Sequence, residues 1–274
     1  MGDEHDSSRF AMTGWRCLFP AHKACGSGAN FTCISYRRER YMVNKKPWLL
    51  LILCLALLLP GYSYALNVTS RTIQYKDKLI EVNIAIPIIS GAVNKPFQQK
   101  ANRLLQKQAL DFKREIEKQA KQNFVLSQQQ GFPYHLHTAV SRFDVTYNQN
   151  GIVSIPVEFY SYTGGAHGIT VKIPHNFDFN QGKELKLSDL FKKGSRYQQV
   201  IVEEIVKQIE KEPDMYFGNA VDVVKELKDG QPYYLTPKGM VVYYGVYEIA
   251  PYAAGIREFL IPFSALKPYL RLQL

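Results

Sequence analysis

NKPFQQKANRLLQKQALDFKREIEKQAKQNF, Asn94 to Phe124, is the stretch on which the fold turns. Asn94 ahead of Pro96 is a helix start in the favoured order, a capping side chain before a proline whose missing N–H costs nothing in the first turn. Phe97, Ala101, Leu104, Leu105, Phe112, Ile116 and Ala120 recur at helical spacing, while the opposite face is rich in Gln and Lys. Such a stripe predicts a long helix from Pro96 to about Phe124, laid on an apolar surface.

The surface is supplied on both sides of it. Upstream, Ser70 to Tyr75 and Leu79 to Ile89 alternate apolar and polar residues around Lys76-Asp77-Lys78, a hairpin pattern. Pro87 within the second run points to an edge or a bulge there. Downstream of a Gln-rich joint at 128–131, Thr138 to Tyr147 and Ile152 to Tyr162 flank Asn148-Gln149-Asn150-Gly151, a hairpin turn, and Ile169 to Phe179 forms a third strand. Ser188 to Phe191 reads as one capped helical turn. Ser195 is placed to cap a second long helix carrying Tyr197, Val200, Ile201, Ile205 and Ile209, which Pro213 ends. Tyr233 to Thr236, Met240 to Tyr247 and Ile256 to Ile261 are the closing strands. Strand runs segregated from two long helices predict an α+β fold, with antiparallel sheet packed against the helices. Residues 66–185 read as an N-terminal strand–helix–strand half and 186–274 as a C-terminal helix–strand half.

MVNKKPWLLLILCLALLLPGYSYA, residues 42–65, has the three parts of a secretory signal peptide: Lys45 and Lys46, an apolar run from Trp48 to Leu59, and Ser63-Tyr64-Ala65 for cleavage. The run is short for a spanning helix, which needs about 20 residues. The competing reading is an uncleaved anchor over residues 48–65, flanked by Arg37, Arg38, Arg40, Lys45 and Lys46. Met1 to Tyr41 shows no period able to bury a core and reads as a disordered extension ahead of a start at Met42. Cys17, Cys25, Cys33 and Cys54 all precede Ala65, which removes disulfides, thiolate metal sites and a cysteine nucleophile from the 209 residues that follow. Leu53 ahead of Cys54 argues against lipidation. Residues 66 to 274 keep 26 basic and 20 acidic side chains without the clustered arginines of a nucleic-acid reader, so no nucleic-acid partner is expected.

Three stretches carry a resemblance: Ala85-Ile86-Pro87-Ile88-Ile89-Ser90-Gly91 with Asn94 and its helix, Tyr162-Thr163-Gly164-Gly165-Ala166-His167-Gly168, and Tyr234 to Gly239 running through Tyr247 to Gly255. Together with Leu187 to Phe191 they are similar to the exported domain that lies outside the membrane in the bacterial anti-sigma-V factor. A similar N-terminal half precedes the catalytic domain of a peptidoglycan deacetylase. The resemblance implies an extracytoplasmic domain over nearly all of Leu66 to Leu274 and a lysozyme-like protein as a partner, while residues 1–41 do not resemble a sigma-binding segment.

Candidate ligand-binding residues are Gly164, Gly165 and His167 on the glycine loop, with Tyr162, Tyr244 and Tyr252 as aromatic surface. The eighteen tyrosines of the chain suit half-buried strands and contact surfaces, and alternation sends roughly half of the Tyr243–Tyr247 cluster to the core. His135 and His137, with His167, His175 or Asp178, are a weak zinc pattern that reads better as a metal-free surface pair. No P-loop, dinucleotide fingerprint, nucleophile elbow or zincin motif occurs, and neither catalytic residues nor a cofactor are expected. The expected function is therefore a non-enzymatic exported binding domain at the cell envelope, taking a lysozyme-like protein or peptidoglycan. The alternatives are an envelope hydrolase using His167 with Glu158 or Glu248, and a membrane-anchored anti-sigma-like sensor.

Overall fold

A computed structural model describes residues 65–272 and residue 274. The expectations for residues 1–41 and for the signal segment up to residue 64 lie outside these. Among the described residues no helix is long and apolar enough to cross a membrane.

Among the described residues the fold is mixed α+β, with two sheets and four α-helices. β1 (Asn67–Lys76) and β2 (Ile80–Ser90) form the first hairpin, closed by Asp77, whose carboxylate accepts from the N–H of Leu79 and Ile80 at 2.7 and 2.9 Å. α1 (Lys95–Gln130) follows, and the Asn94 side chain accepts from Phe97 N–H at 3.1 Å, as the start signal predicts. The helix runs past Phe124, because Gln128 to Gln130 are good helix formers and only Gly131, at φ 73°, ends it. Its 36 residues reach about 54 Å at 1.5 Å each.

That length sets the topology. β3 (His137–Phe143) returns beside β2 in the same direction, Ile80 pairing with His137, so α1 is a crossover and this one junction is parallel. An antiparallel sheet throughout was expected; a long helix between two neighbouring strands carries the chain back to the starting end. β4 (Tyr147–Gln149), β5 (Ile152–Tyr162), β6 (Ile169–Asp178) and β7 (Lys183–Glu184) complete a seven-stranded sheet in the order β1-β2-β3-β5-β6-β7, with β4 pairing β5. The β4–β5 turn is Asn150-Gly151, both at positive φ (53° and 75°), the two-residue geometry that suits the sheet twist. β2 lies inside the sheet, yet its pairing with β3 ends at Ile84, so at Pro87 only the β1 side is paired.

Phe97, Ala101, Leu105, Ala109, Ile116 and Ala120 bury the α1 stripe against Val82, Ile84, Ile86 and Phe159. Each large side chain buried there contributes about 1.5–3 kcal/mol. Asn102 fixes the helix to β2 by bonding both N–H and C=O of Ile89 at 2.8 Å.

The remaining chain builds a second core. α2 (Tyr197–Ile209) has 13 residues and so is not long; Ile201, Ile205 and Ile209 are its buried stripe. Ser195 does not cap it. Arg196 stands at the cap position without a side-chain bond, and the Ser195 hydroxyl is buried with no hydrogen-bond partner among the described residues. α3 (Ala220–Lys225) and α4 (Phe263–Leu266) flank an antiparallel sheet of β8 (Tyr233–Thr236), β9 (Gly239–Tyr244) and β10 (Arg257–Pro262), ordered β10-β9-β8. Tyr147 and Ile152 from the first sheet, and Leu185 just after β7, also enter this core.

A buried polar bridge ties the sheets together. Ser154 Oγ donates to Asn176 Oδ1 at 2.6 Å, Asn176 Nδ2 donates to the Tyr233 carbonyl at 2.8 Å, and Leu235 N–H donates to Ser154 Oγ at 2.9 Å.

Candidate functional site

Strand register assembles the site on the face of the first sheet turned away from α1. Arg142 on β3 stands opposite Glu158 on β5, which stands opposite Lys172 on β6; in the next row Val140, Tyr160 and Thr170 are aligned. The alternate residue Phe159 points the other way, onto Phe112 of α1, with ring centroids 5.0 Å apart.

The other wall is the segment between β9 and β10. β9 stops at Tyr244 because the chain turns there: Tyr247 sits at φ 66°, a conformation that costs a bulky residue about 1–2 kcal/mol. Glu248 braces the turn by accepting from Gly245 N–H at 2.6 Å, and Ile249 and Ala250 are buried beneath it. Between the walls lies a cleft of 430 Å³ lined by Arg142, Glu158, Thr170, Lys172, Tyr252 and Glu258, among others. It meets a smaller hollow of 200 Å³ beside Tyr160 that shares Arg142, Glu158 and Thr170.

Lys172 is locked in the floor. Its ammonium pairs with Glu258 and, at 3.1 Å, with Glu158, and lies 5.5 and 5.7 Å from the ring centres of Tyr234 and Tyr243. Burial works to raise the Glu158 pKa, but hydrogen bonds and charge from Arg142 and Lys172 outweigh it and hold the carboxyl below its ordinary value. Burial, then the Glu258 charge, pushes the Tyr234 and Tyr243 hydroxyls up, so both remain protonated at neutral pH. Glu158 is thus an ionised, occupied acceptor with no proton to give.

The rings above the cleft are differently placed. Tyr252 donates its hydroxyl to the Gly168 carbonyl at 2.6 Å, and the exposed His167 stacks on its ring at 3.8 Å. Tyr247, 57% exposed, lies 5.7 Å from Tyr252. His167 Nδ1 lies 3.1 Å from the Gly168 carbonyl, and no carboxylate is bonded to the imidazole among the described residues. The three rings form an aromatic platform, exposed at Tyr247 and His167 and half-buried at Tyr252, beside a polar floor, an arrangement that can stack on one face of a sugar or side chain and hydrogen-bond its edge.

Of the residues singled out by sequence, His167 and Tyr252 touch, and the half-buried Tyr162 and the exposed Gly164 and Gly165 lie on the strand end and loop leading to them. Tyr244 does not belong to this surface. It is 1% exposed in the second core against Phe259, burial pushes its hydroxyl pKa up, and that hydroxyl has no hydrogen-bond partner among the described residues. His135 and His137 are not a surface pair either: His137 is 1% exposed, bonded to Asn123 at 3.0 Å and to the His135 carbonyl at 2.9 Å. His175 is buried between Glu184 and Gln108, and Asp178 accepts from the N–H of Asn180 and Gln181. These groups do not gather, and no cluster of three or more metal-ligating side chains occurs among the described residues. Arg142, Lys172, Thr170 and Glu258 escaped sequence reading, since their meeting depends on register and on the second sheet's approach.

Gly164 has φ 90°, whereas Gly165 does not take a positive φ, and a Cβ there would meet only the His167 carbonyl oxygen at an ordinary 3.9 Å. Gly164→Ala is therefore expected to cost about 1 kcal/mol or more, while Gly165→Ala stays near neutral. His167→Ala, at an exposed position, is expected within about 0.5 kcal/mol of wild type. Thermal melts of the three variants check this; an unfolded His167→Ala protein would make the histidine a structural residue.

Residues 73–170 match the family described as Deacetylase PdaC, and residues 188–264 match the family described as Protein of unknown function (DUF3298). The cleft draws Arg142, Glu158 and Thr170 from the first of these and Tyr252 and Glu258 from the second. Over 129 residues the chain is 28% identical to the peptidoglycan-N-acetylmuramic acid deacetylase PdaC of Bacillus subtilis (strain 168), covering 44% of this chain and 27% of that protein. The chain thus spans about a quarter of that relative's length. The fold is shared with a DUF3298-family crystal structure from Bacteroides fragilis (TM-score 0.59, 19% identity, 76% of this chain and 94% of that one). A DUF3298-family structure from Pseudomonas aeruginosa PAO1 aligns with a TM-score of 0.49 at 17% identity, over 76% and 95% of the chains. The chain is thus similar to the PdaC family in its first half and to the DUF3298 family in its second.

Proposed function

We propose that this chain is an exported, non-enzymatic binding domain that holds cell-wall glycan outside the cytoplasmic membrane. The observation that carries the reading is the division of labour in the cleft. Its carboxylates and lysine are committed to one another, while the exposed Tyr247 and His167 rings, packed about a half-buried Tyr252, stand open beside them. Similarity to a peptidoglycan deacetylase supports the cell wall as the source of the ligand. A hydrolase working through His167 would need a carboxylate within hydrogen-bond reach. Instead Glu158 is held by Arg142 and Lys172, and Glu248 braces Gly245.

Sedimentation with purified cell-wall sacculi tests this, followed by mass spectrometry of the glycan. The protein is expected to pellet with the wall and leave the glycan chemically unchanged, and the Tyr247→Ala/Tyr252→Ala double variant to stay mostly in the supernatant. Deacetylated or cleaved glycan that disappears with His167→Ala would instead establish the hydrolase. Binding to a lysozyme but not to sacculi would make the partner a protein. For the compartment, a mature N-terminus at Leu66 is expected in exported protein; a retained 48–65 segment would favour the anchored sensor.

A further inference from the structure

We propose that the cleft selects glycans bearing an oxyanion, carboxylate or phosphate, and that the Arg142 guanidinium is the anion subsite; this rests on the glycan reading above. Arg142 donates through Nε to Glu158 Oε2 at 2.6 Å, and its side chain is 77% exposed. The two terminal amino groups have no partner among the described residues. Glu158 is itself held from its other oxygen by Lys172 at 3.1 Å, so the guanidinium is oriented by a fixed group and not by a mobile one. A guanidinium anchored at Nε still presents a planar pair of N–H donors, the shape that matches an oxyanion in two parallel hydrogen bonds.

Two further donors line the same hollow. The Thr170 and Tyr160 hydroxyls also lack hydrogen-bond partners among the described residues and stand next to Arg142. The tip of the Tyr160 ring, hydroxyl included, lies over Gly168, where a Cβ would come within 2.4 Å of it, so the glycine leaves the room this ring occupies. Lys172 is unsuited to the role, since it is 10% exposed and pairs with two carboxylates. The excess of basic over acidic side chains in residues 66–274 favours encounter with an anionic polymer, while inside the cleft Arg142 and Lys172 are matched by Glu158 and Glu258, so selection rests on the exposed guanidinium.

Calorimetric titration of the protein with three probes tests the inference: peptide-free peptidoglycan glycan strands, which carry carboxylates; polyglycerol-phosphate teichoic acid, which carries phosphodiesters; and chitohexaose, which is neutral. At least one anionic probe is expected to bind about tenfold or more tighter than chitohexaose, as hydrogen bonds to a charged group imply. That preference is expected to fall to near unity in both Arg142→Gln and Arg142→Lys, because lysine keeps the charge but not the fork. Whichever anionic probe shows the Arg142-dependent preference identifies the source. Equal affinity for charged and neutral probes, or a preference untouched by Arg142→Gln, would overturn the anion subsite while leaving glycan binding in place. A preference kept by Arg142→Lys would overturn the forked contact. Failure of all three probes to bind would overturn the glycan reading itself, and the inference with it.

Discussion

Asn176→Ala is expected to destabilise the protein by about 2–5 kcal/mol, among the largest effects available to a single polar side chain. Asn176 is 3% exposed and bridges Ser154 on the first sheet to the Tyr233 carbonyl on the second. Its loss leaves that carbonyl without its donor and the Ser154 hydroxyl without its acceptor, and each buried unsatisfied group costs about 1–3 kcal/mol. Ser154→Ala is expected to act on the same bridge by orphaning Leu235 N–H. Because the two side chains form one network, the double variant should lose at least about 1 kcal/mol less than the two single losses combined. Denaturant melts monitored by fluorescence and circular dichroism measure all three. A change below about 0.5 kcal/mol in Asn176→Ala would mean that the two sheets do not depend on this bridge.

The second large effect is expected at Gly239, the first residue of β9. A Cβ built there would lie 2.2 Å from the Ile261 carbonyl oxygen and 2.9 Å from Pro262 Cα, both backbone atoms of the paired strand β10. Main-chain atoms cannot swing aside as a side chain does, so Gly239→Ala has to part β9 from β10, at about 3 kcal/mol. The turn before it is tightly built, since Thr236 Oγ1 donates to the Gly239 carbonyl at 2.9 Å and accepts from Gly239 N–H at 3.2 Å. The same displacement moves Glu258 on β10 and releases its grip on Lys172, so wall binding should weaken along with stability. Gly165→Ala is the matched control, and equal melting temperatures for the two variants would contradict the strand contact.

What could be read from sequence, and what could not, follows from the range of the interactions involved. The α1 stripe, the Asn94 cap and the Asn150-Gly151 turn are local, and each was legible. The parallel β2–β3 junction was not, since nothing in either strand records which neighbour the helix returns it to. The site shows the same limit more sharply. Continued straight from the Asn150-Gly151 turn, the register would set Phe143 opposite Glu158. A one-residue shift between Tyr147 and Phe143 sets Arg142 there instead, on the cleft face. Lys172 reaches Glu158 only because of how the 163–168 loop closes, and Glu258 arrives from the second sheet. His167 and Tyr252 were legible as residue types, but the stack between them joins segments 85 residues apart. Tyr244 was misplaced because β9 is buried on both faces, so alternation could not separate a core tyrosine from a surface one.

The most direct measurement is hydrogen–deuterium exchange on the protein alone and saturated with peptide-free peptidoglycan glycan strands. Slower exchange is expected in 140–143, 158–172 and 245–258, the three segments that wall the cleft, with α1 and α2 unchanged. Protection confined to the outer face of α1 or to 187–230, or no protection at saturation, would contradict a glycan site in this cleft.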